Sequence, residues 1–300
     1  MDHKAFLQSL SPDQRRRLTE RSDLRGLLHL LGHVGLILLF GLYVALTLPY
    51  WPFVMVPLGI SLIFLFTLMH ETVHFTPFRS TWLNLVICAV CGVILGLGPT
   101  WFRYFHLAHH RFTQDPENDP ELASPKPDTR AALLWHLTGL PMWRYQALTL
   151  AKNAFGDPSA PYLPDRRVAY VKWEARLMTA SYTALLLAAL WFGWAWVFWL
   201  WVCPLLLGQP FLRAYLLAEH ADCEHGANMF ANTRTVFTSA PVRFLAWNMP
   251  FHAEHHAYPN VPFHALPKLH ELSKTHLRET ADGYVAFNRN FAETVSNARE

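Results

Sequence analysis

The chain has 300 residues, a formal charge of only +3, and 16% charged against 52% hydrophobic residues, including 12 Trp and 21 Phe. Such a composition belongs in a lipid bilayer. The small charge, with no compact basic patch, excludes nucleic acid as a partner. Four cysteines (Cys88, Cys91, Cys203 and Cys223) form no secreted disulfide framework. Cys88 and Cys91 share one apolar run and read as packing rather than as a redox pair.

Residues 1–25 are polar and basic, without the apolar stretch of a cleavable signal peptide, so the first spanning helix is expected to serve insertion as well. Ser11-Pro12-Asp13-Gln14 predicts a helix start, with Ser as N-cap, Pro at the first position and Gln closing a capping box. Arg15, Arg16, Arg17, Arg21 and Arg25 suit anionic headgroups on the cytoplasmic leaflet. From Leu27 to Met69 no Asp, Glu, Lys or Arg occurs. At about 20 residues per span, 27–69 predicts a hairpin of two transmembrane helices broken near Pro49–Pro52. His29 and His33 near its start read as structural or headgroup-facing.

Thr81–Phe102 is a third uncharged run. One clean crossing would place the histidines on either side of it on opposite membrane faces. A shared site therefore predicts that 82–100 is re-entrant or interfacial, bent at Gly92, Gly96, Gly98 and Pro99 and packed against protein. Residues 125–175, with apolar stretches such as 131–150, suit interfacial helices or a surface cap. Leu177–Leu212 is again uncharged, and 177–217 predicts a second hairpin turning near Gly193. Residues 218–300 hold no further span and are expected to form a cytosolic cap. The turns near 49–52 and 193 carry no charge, so every Lys and Arg falls on one side, with both termini and all histidine clusters in the cytosol of a multi-pass inner or cytoplasmic membrane protein. The predicted fold is one all-α integral membrane domain over 1–300: four transmembrane helices in two hairpins, the re-entrant segment, and a cytosolic helical cap holding a metal site.

The chemistry lies in three clusters: His70-Glu71-Thr-Val-His74, His106-Leu-Ala-His109-His110 and His252-Ala-Glu-His255-His256. On a helix, positions i, i+3 and i+4 share one face, so each cluster aims two or three imidazoles in one direction. Eight histidines exceed the roughly four ligands of one zinc. A pair of six-coordinate irons uses four or five each and leaves room for oxygen. A ninth ligand is His220, directly after the fourth span, with His225 as the alternative. Ligating imidazoles donate their other N–H to a partner, which makes Asp115 and Asp119 in the following loop second-layer candidates. Glu71 is a further one, and Asn248 either binds a metal water or caps a helix. His136, His264, His270 and His276 lack cluster spacing and read as surface or structural.

The order HETVH, HLAHH, HAEHH, alternating with two apolar hairpins from about His70 to Leu269, resembles the membrane fatty acid desaturase and hydroxylase family. Trp247–His252 and the Pro259–Pro267 stretch are similar to the tail of acyl desaturases. The resemblance implies a di-iron centre at the cytosolic membrane face that uses O2 and two electrons to oxidise an unactivated C–H bond. Its ligands would be His70, His74, His106, His109, His110, His252, His255 and His256, and His220 would match the family's extra ligand. Two features depart from it. Leu216 stands where stearoyl-CoA-type enzymes place an Asn, and His252 stands where front-end desaturases carry Gln. Without an HPGG haem motif, electrons would come from a separate ferredoxin, or from cytochrome b5 with its reductase. Basic groups of the cap would dock that acidic carrier or an acyl carrier. The leading reading is an acyl desaturase of membrane lipid. Rival readings are a hydroxylase or a carotenoid or sphingolipid oxidase on the same scaffold, a metal transporter or sensor, and a zinc protease using His70-Glu71-Thr-Val-His74.

Overall fold

The uncharged runs fold as long helices because no charge is lost to lipid along them and their backbone groups pair internally. The computed structural model describes residues 1–297; the last three residues of the expected cap lie outside the described ones. Among the described residues, four helices are long and apolar enough to cross a membrane. The only sheet there is a parallel pair, Thr235–Val236 with Thr280–Ala281. Ahead of the first span, Ser11 and Gln14 close the expected capping box on the helix Pro12–Leu18.

Helix α1 (Asp23–Ala45) begins where the Ser22 hydroxyl accepts the Arg25 N–H. Leu31, Leu38 and Leu42 stand 60–69% exposed along it, a face that water would not tolerate and lipid does. Thr47 and Tyr50 take left-handed backbone (φ 48° and 64°) to turn the chain into α2 (Trp51–Ile63). Helix α3 (Leu65–Val73) continues that span and carries His70.

Helix α4 (Thr81–Leu95) and α5 (Pro99–Phe112) meet at a 100° bend, the geometry of a broken span or a re-entrant segment. Gly96 (φ 71°) caps α4, and Pro99 starts α5. Gly92 is not a bending point, against the sequence expectation. It lies inside α4, where a Cβ would sit 2.6 Å from the Leu97 carbonyl oxygen, and it gives the returning chain room. The carbonyls at the end of α4 accept from Tyr182 Oη (Val93, 2.7 Å) and Trp201 Nε1 (Ile94, 2.9 Å), so this helix end is sealed by protein.

Helix α6 (Asp165–Phe192) starts before the uncharged run that begins at 177. Its charged first turns are put to structural use. Glu174 accepts Thr100 N (3.0 Å) and Thr100 Oγ1 (2.8 Å), a carboxylate at the positive N-terminus of α5. Gly193 (φ 66°) then turns the chain towards α7 (Phe198–His220).

Helices α2 and α7 make the most intimate pair. A Cβ on Gly59 would lie 2.0 Å from Pro204 O, and one on Gly208 would lie 2.2 Å from Gly59 O. Small residues let the two backbones touch, the usual basis of helix association in lipid. Gly208→Val is expected to force the helices apart and lower stability by roughly 1–3 kcal/mol or more. Gly35→Ala, where nothing lies within 4 Å, is expected to cost nothing. Thermal unfolding in detergent checks both, and equal melting points would refute this account of the crossing.

Candidate metal centre

Each histidine reaches the centre on its own element. His70 projects from α3 and His74 follows one turn later at its C-cap. His106, His109 and His110 lie on α5, His220 ends α7, and His252, His255 and His256 lie on α8 (His252–Ala257). The side chains converge in two groups. His70, His74, His106, His110 and His255 each offer a donor atom within 4.8 Å of the others, and so do His109, His220 and His256. His252 joins the second group through His220, with the Nε2 atoms 3.2 Å apart. The groups adjoin, for the His110 and His256 rings stack at 3.9 Å.

The donor chemistry fits metal. Both ring nitrogens of His70, His110 and His255, and Nε2 of His256, are buried with no hydrogen-bond partner among the described residues. Each such orphan costs about 1–3 kcal/mol unless something binds it. Nε2–Nε2 separations are 2.9 Å for His74–His106 and 3.2 Å for His109–His220. Two nitrogens about 2.1 Å from one ion at a right angle lie roughly 3 Å apart. Burial first, then the crowding of neighbouring histidines, holds His252, His255 and His256 well below the ordinary histidine range. Neutral imidazole is the form that ligates.

Three of the Nδ1 atoms are hydrogen-bonded to protein. His109 Nδ1 donates to Asp119 (3.0 and 3.1 Å), His220 Nδ1 to Asn232 O (3.2 Å) and His256 Nδ1 to Thr113 Oγ1 (3.1 Å). His252 Nδ1 faces Glu219 at 3.5 Å and His255 Nδ1 faces Glu71 at 3.8 Å. The hydrogen-bonded partners fix the rings of His109, His220 and His256 and leave Nε2 for a ligand role. Burial raises Asp119, but the bond to His109 and the Glu121 and Gln114 N–H groups outweigh it and hold the carboxyl below the usual range.

Some expected residues lie elsewhere. Asp115 caps its own loop through Glu117 N and Asn118 Nδ2, so only Asp119 of that pair reaches a histidine. Asn248 donates to Phe263 O (3.0 Å) from a left-handed position, which ties the turn before the third cluster to the segment after it. His225 Nδ1 bonds Gln114 O (3.1 Å) outside both groups. Glu71 Oε2 accepts Thr76 Oγ1 and Phe263 N (3.0 Å each), so its carboxyl is engaged by protein. His33 accepts Trp247 Nε1 (3.1 Å) and donates to Ser61 O (2.8 Å), a structural role buried within the bundle. His264 pairs with Arg25, His270 with Glu254 and His276 with the Phe6 ring, whereas His136 lines the cavity.

The spacing of the clusters gave no signal for Glu219, Thr113 and Asn232, which are recognised only by position. Glu219 directly precedes His220, and an acidic residue in an apolar span is a marker by itself. Five of the seven non-glycine residues with positive φ (Phe75, Gln114, Asp222, Trp247 and Asn248) flank histidine-bearing segments. Trp247 is fully buried with φ 51°, conformational strain that its packing must hold. Beside the two groups lies a cavity of about 390 Å3, lined by His70, His106, His109 and His252 and by Phe66, Leu95, Leu97, Phe102 and Phe105 among others.

The sequence model described as "Fatty acid desaturase" matches residues 45–288. The chain is 24% identical over 212 residues, 70% of its length and 59% of the relative's, to "Sphingolipid delta(4)-desaturase DES1-like" of Arabidopsis thaliana. It is 24% identical over 217 residues, again 70% of this chain and 57% of the relative, to "Sphingolipid delta(4)-desaturase" of Schizosaccharomyces pombe. It thus spans less than two thirds of the length of these curated relatives.

Proposed function

This chain belongs to the fatty acid desaturase family, and from that premise we propose that it is an O2-dependent, di-iron desaturase of a lipid hydrocarbon chain. The observation that carries the proposal is the pair of adjoining imidazole groups opening onto an apolar-walled cavity. His70, His74, His106, His110 and His255 would hold one iron, and His109, His220, His252 and His256 the other. When bound, such a pair supplies oxidation of an unactivated C–H bond with O2 and two electrons. The chain's own residues supply placement and dryness. Phe66, Phe102 and Phe105 exclude water and hold the hydrocarbon beside the imidazoles, while Asp119, Thr113 and Asn232 hold the rings in orientation.

The proposal includes the expected topology: one catalytic domain, the basic segment 1–25 on the membrane surface, and the termini and metal centre in the cytosol. Electrons would come from a separate ferredoxin, or from cytochrome b5 with its reductase. A second reading, oxidation of a sphingolipid-type chain, is favoured by the names of the two relatives.

Expression in a host of simple lipid content, followed by lipid profiling by mass spectrometry, tests the proposal. New double bonds that disappear with His109→Ala are the expected result. Hydroxyl groups in their place would replace desaturase by hydroxylase, and an unchanged lipid profile would overturn lipid oxidation in that host.

A further inference from the structure

A second part of the cavity lining is polar and unsatisfied. Arg213 stands on α7, inside an apolar span, and is 8% exposed. Among the described residues its guanidinium has no ion pair, and its Nε has no hydrogen-bond partner. Gln209, one turn earlier and 1% exposed, has an orphaned Oε1. His136 Nε2 and Gln146 Oε1 are orphaned as well, and all four residues line the cavity. The arrangement is built. Gly139 (φ 74°) makes room for Gln209, since a Cβ there would fall 2.1 Å from Gln209 Cγ. The His136 ring is held against the Arg213 backbone carbonyl.

An unpaired buried guanidinium in an apolar span is costly, and such residues in membrane helices mark substrate sites. The other charged groups lining this cavity are Glu121, Glu219 and Lys126. Glu121 lies 3.7 Å from His109 Nδ1 and Glu219 lies 3.5 Å from His252 Nδ1; both act on Arg213 electrostatically, and neither forms an ion pair with it. Arg213 is thus balanced at a distance but has no acid at contact range, which is what a substrate anion would supply.

We propose that the polar part of this cavity binds an acidic group of the substrate, a carboxylate or phosphate, with Arg213 as its anchor. The proposal rests on reading the cavity as the substrate chamber of the desaturase. The orphaned acceptors of Gln209, Gln146 and His136 match a hydroxyl or amide N–H flanking the acid. Arg213 and His220 are seven residues apart on one helix, about 10 Å along its axis. An anchored acid therefore brings carbons near the head group to the imidazoles, not the far end of a long chain.

Binding to the purified, iron-loaded protein tests this by tryptophan fluorescence. The probes are a medium-chain fatty acid, the chain-matched alkyl phosphate, the alcohol and the alkyl trimethylammonium. One or both acids are expected to bind about ten- to a hundredfold more tightly than the alcohol, and which acid binds better identifies the head group. Arg213→Gln is expected to erase that preference, and Arg213→Lys to keep part of it. Alcohol binding equal to the acids, or preferred binding of the ammonium probe, would overturn the proposal. So would a preference that survives in a folded, iron-bearing Arg213→Gln. If that variant fails to hold iron, the wild-type comparison and Arg213→Lys, expected to keep part of the preference, still decide. A preference for acids without any lipid oxidation would sink the desaturase reading and leave this one standing. Lipid oxidation without the preference would do the reverse.

Discussion

His220→Ala is expected to reduce lipid oxidation by more than about a hundredfold, while His225→Ala leaves it unchanged. The two residues are close in sequence, and only geometry separates them. His220 Nε2 lies 3.2 Å from the Nε2 atoms of both His109 and His252, and its Nδ1 donates to Asn232 O. It is the link through which His252 joins the smaller group. Without it three imidazoles remain there and the hole is buried, so no surface group replaces it. Loss of an outer hydrogen-bond partner alone costs about 10- to 100-fold in metal affinity or activity, and loss of a ligand costs more. His225 is tied to Gln114 O and stands apart. Oxidised lipid per chain, measured for both variants at equal expression, checks this. Full activity in His220→Ala would remove that residue from the centre.

Asp119→Asn is the second large effect, expected to weaken iron retention about 10- to 100-fold. The carboxylate accepts His109 Nδ1–H through both oxygens, which fixes the tautomer with Nε2 bare. It also accepts Gln114 N and Glu121 N (2.9 Å each), so the loop is shaped around it. Asn keeps the size but removes the charge and one acceptor. Asp115→Asn in the same loop is the matched control, for Asp115 meets only its own turn. Iron retained against increasing chelator separates the two. Equal retention would mean that Asp119 shapes the loop without tuning His109.

The difference between these aspartates shows where sequence reasoning stops. Spans were legible because uncharged length has one cheap solution in lipid, and the box histidines because i, i+3 and i+4 share a helix face. The bend before box two was legible from the requirement that histidines on either side of it meet, though Gly92 proved to be clearance and Gly96 the turn. What depends on how helices sit against one another was not legible. His252 and His255 are neighbours on α8, yet His255 falls in the larger group while His252 joins His220. Glu174 reaching Thr100 and Trp247 held by His33 are likewise contacts between distant segments that no local spacing announces. The charged start of α6 was not legible because hydropathy marks the lipid-facing length of a helix and not where its hydrogen bonding begins.

The metal content of the purified wild-type chain, counted by mass spectrometry together with X-ray absorption at the metal edge, tests the central claim most directly. The account predicts two irons per chain with a first shell of imidazole nitrogen and oxygen and no sulfur. A single metal per chain, zinc in place of iron, or sulfur in the first shell would contradict it.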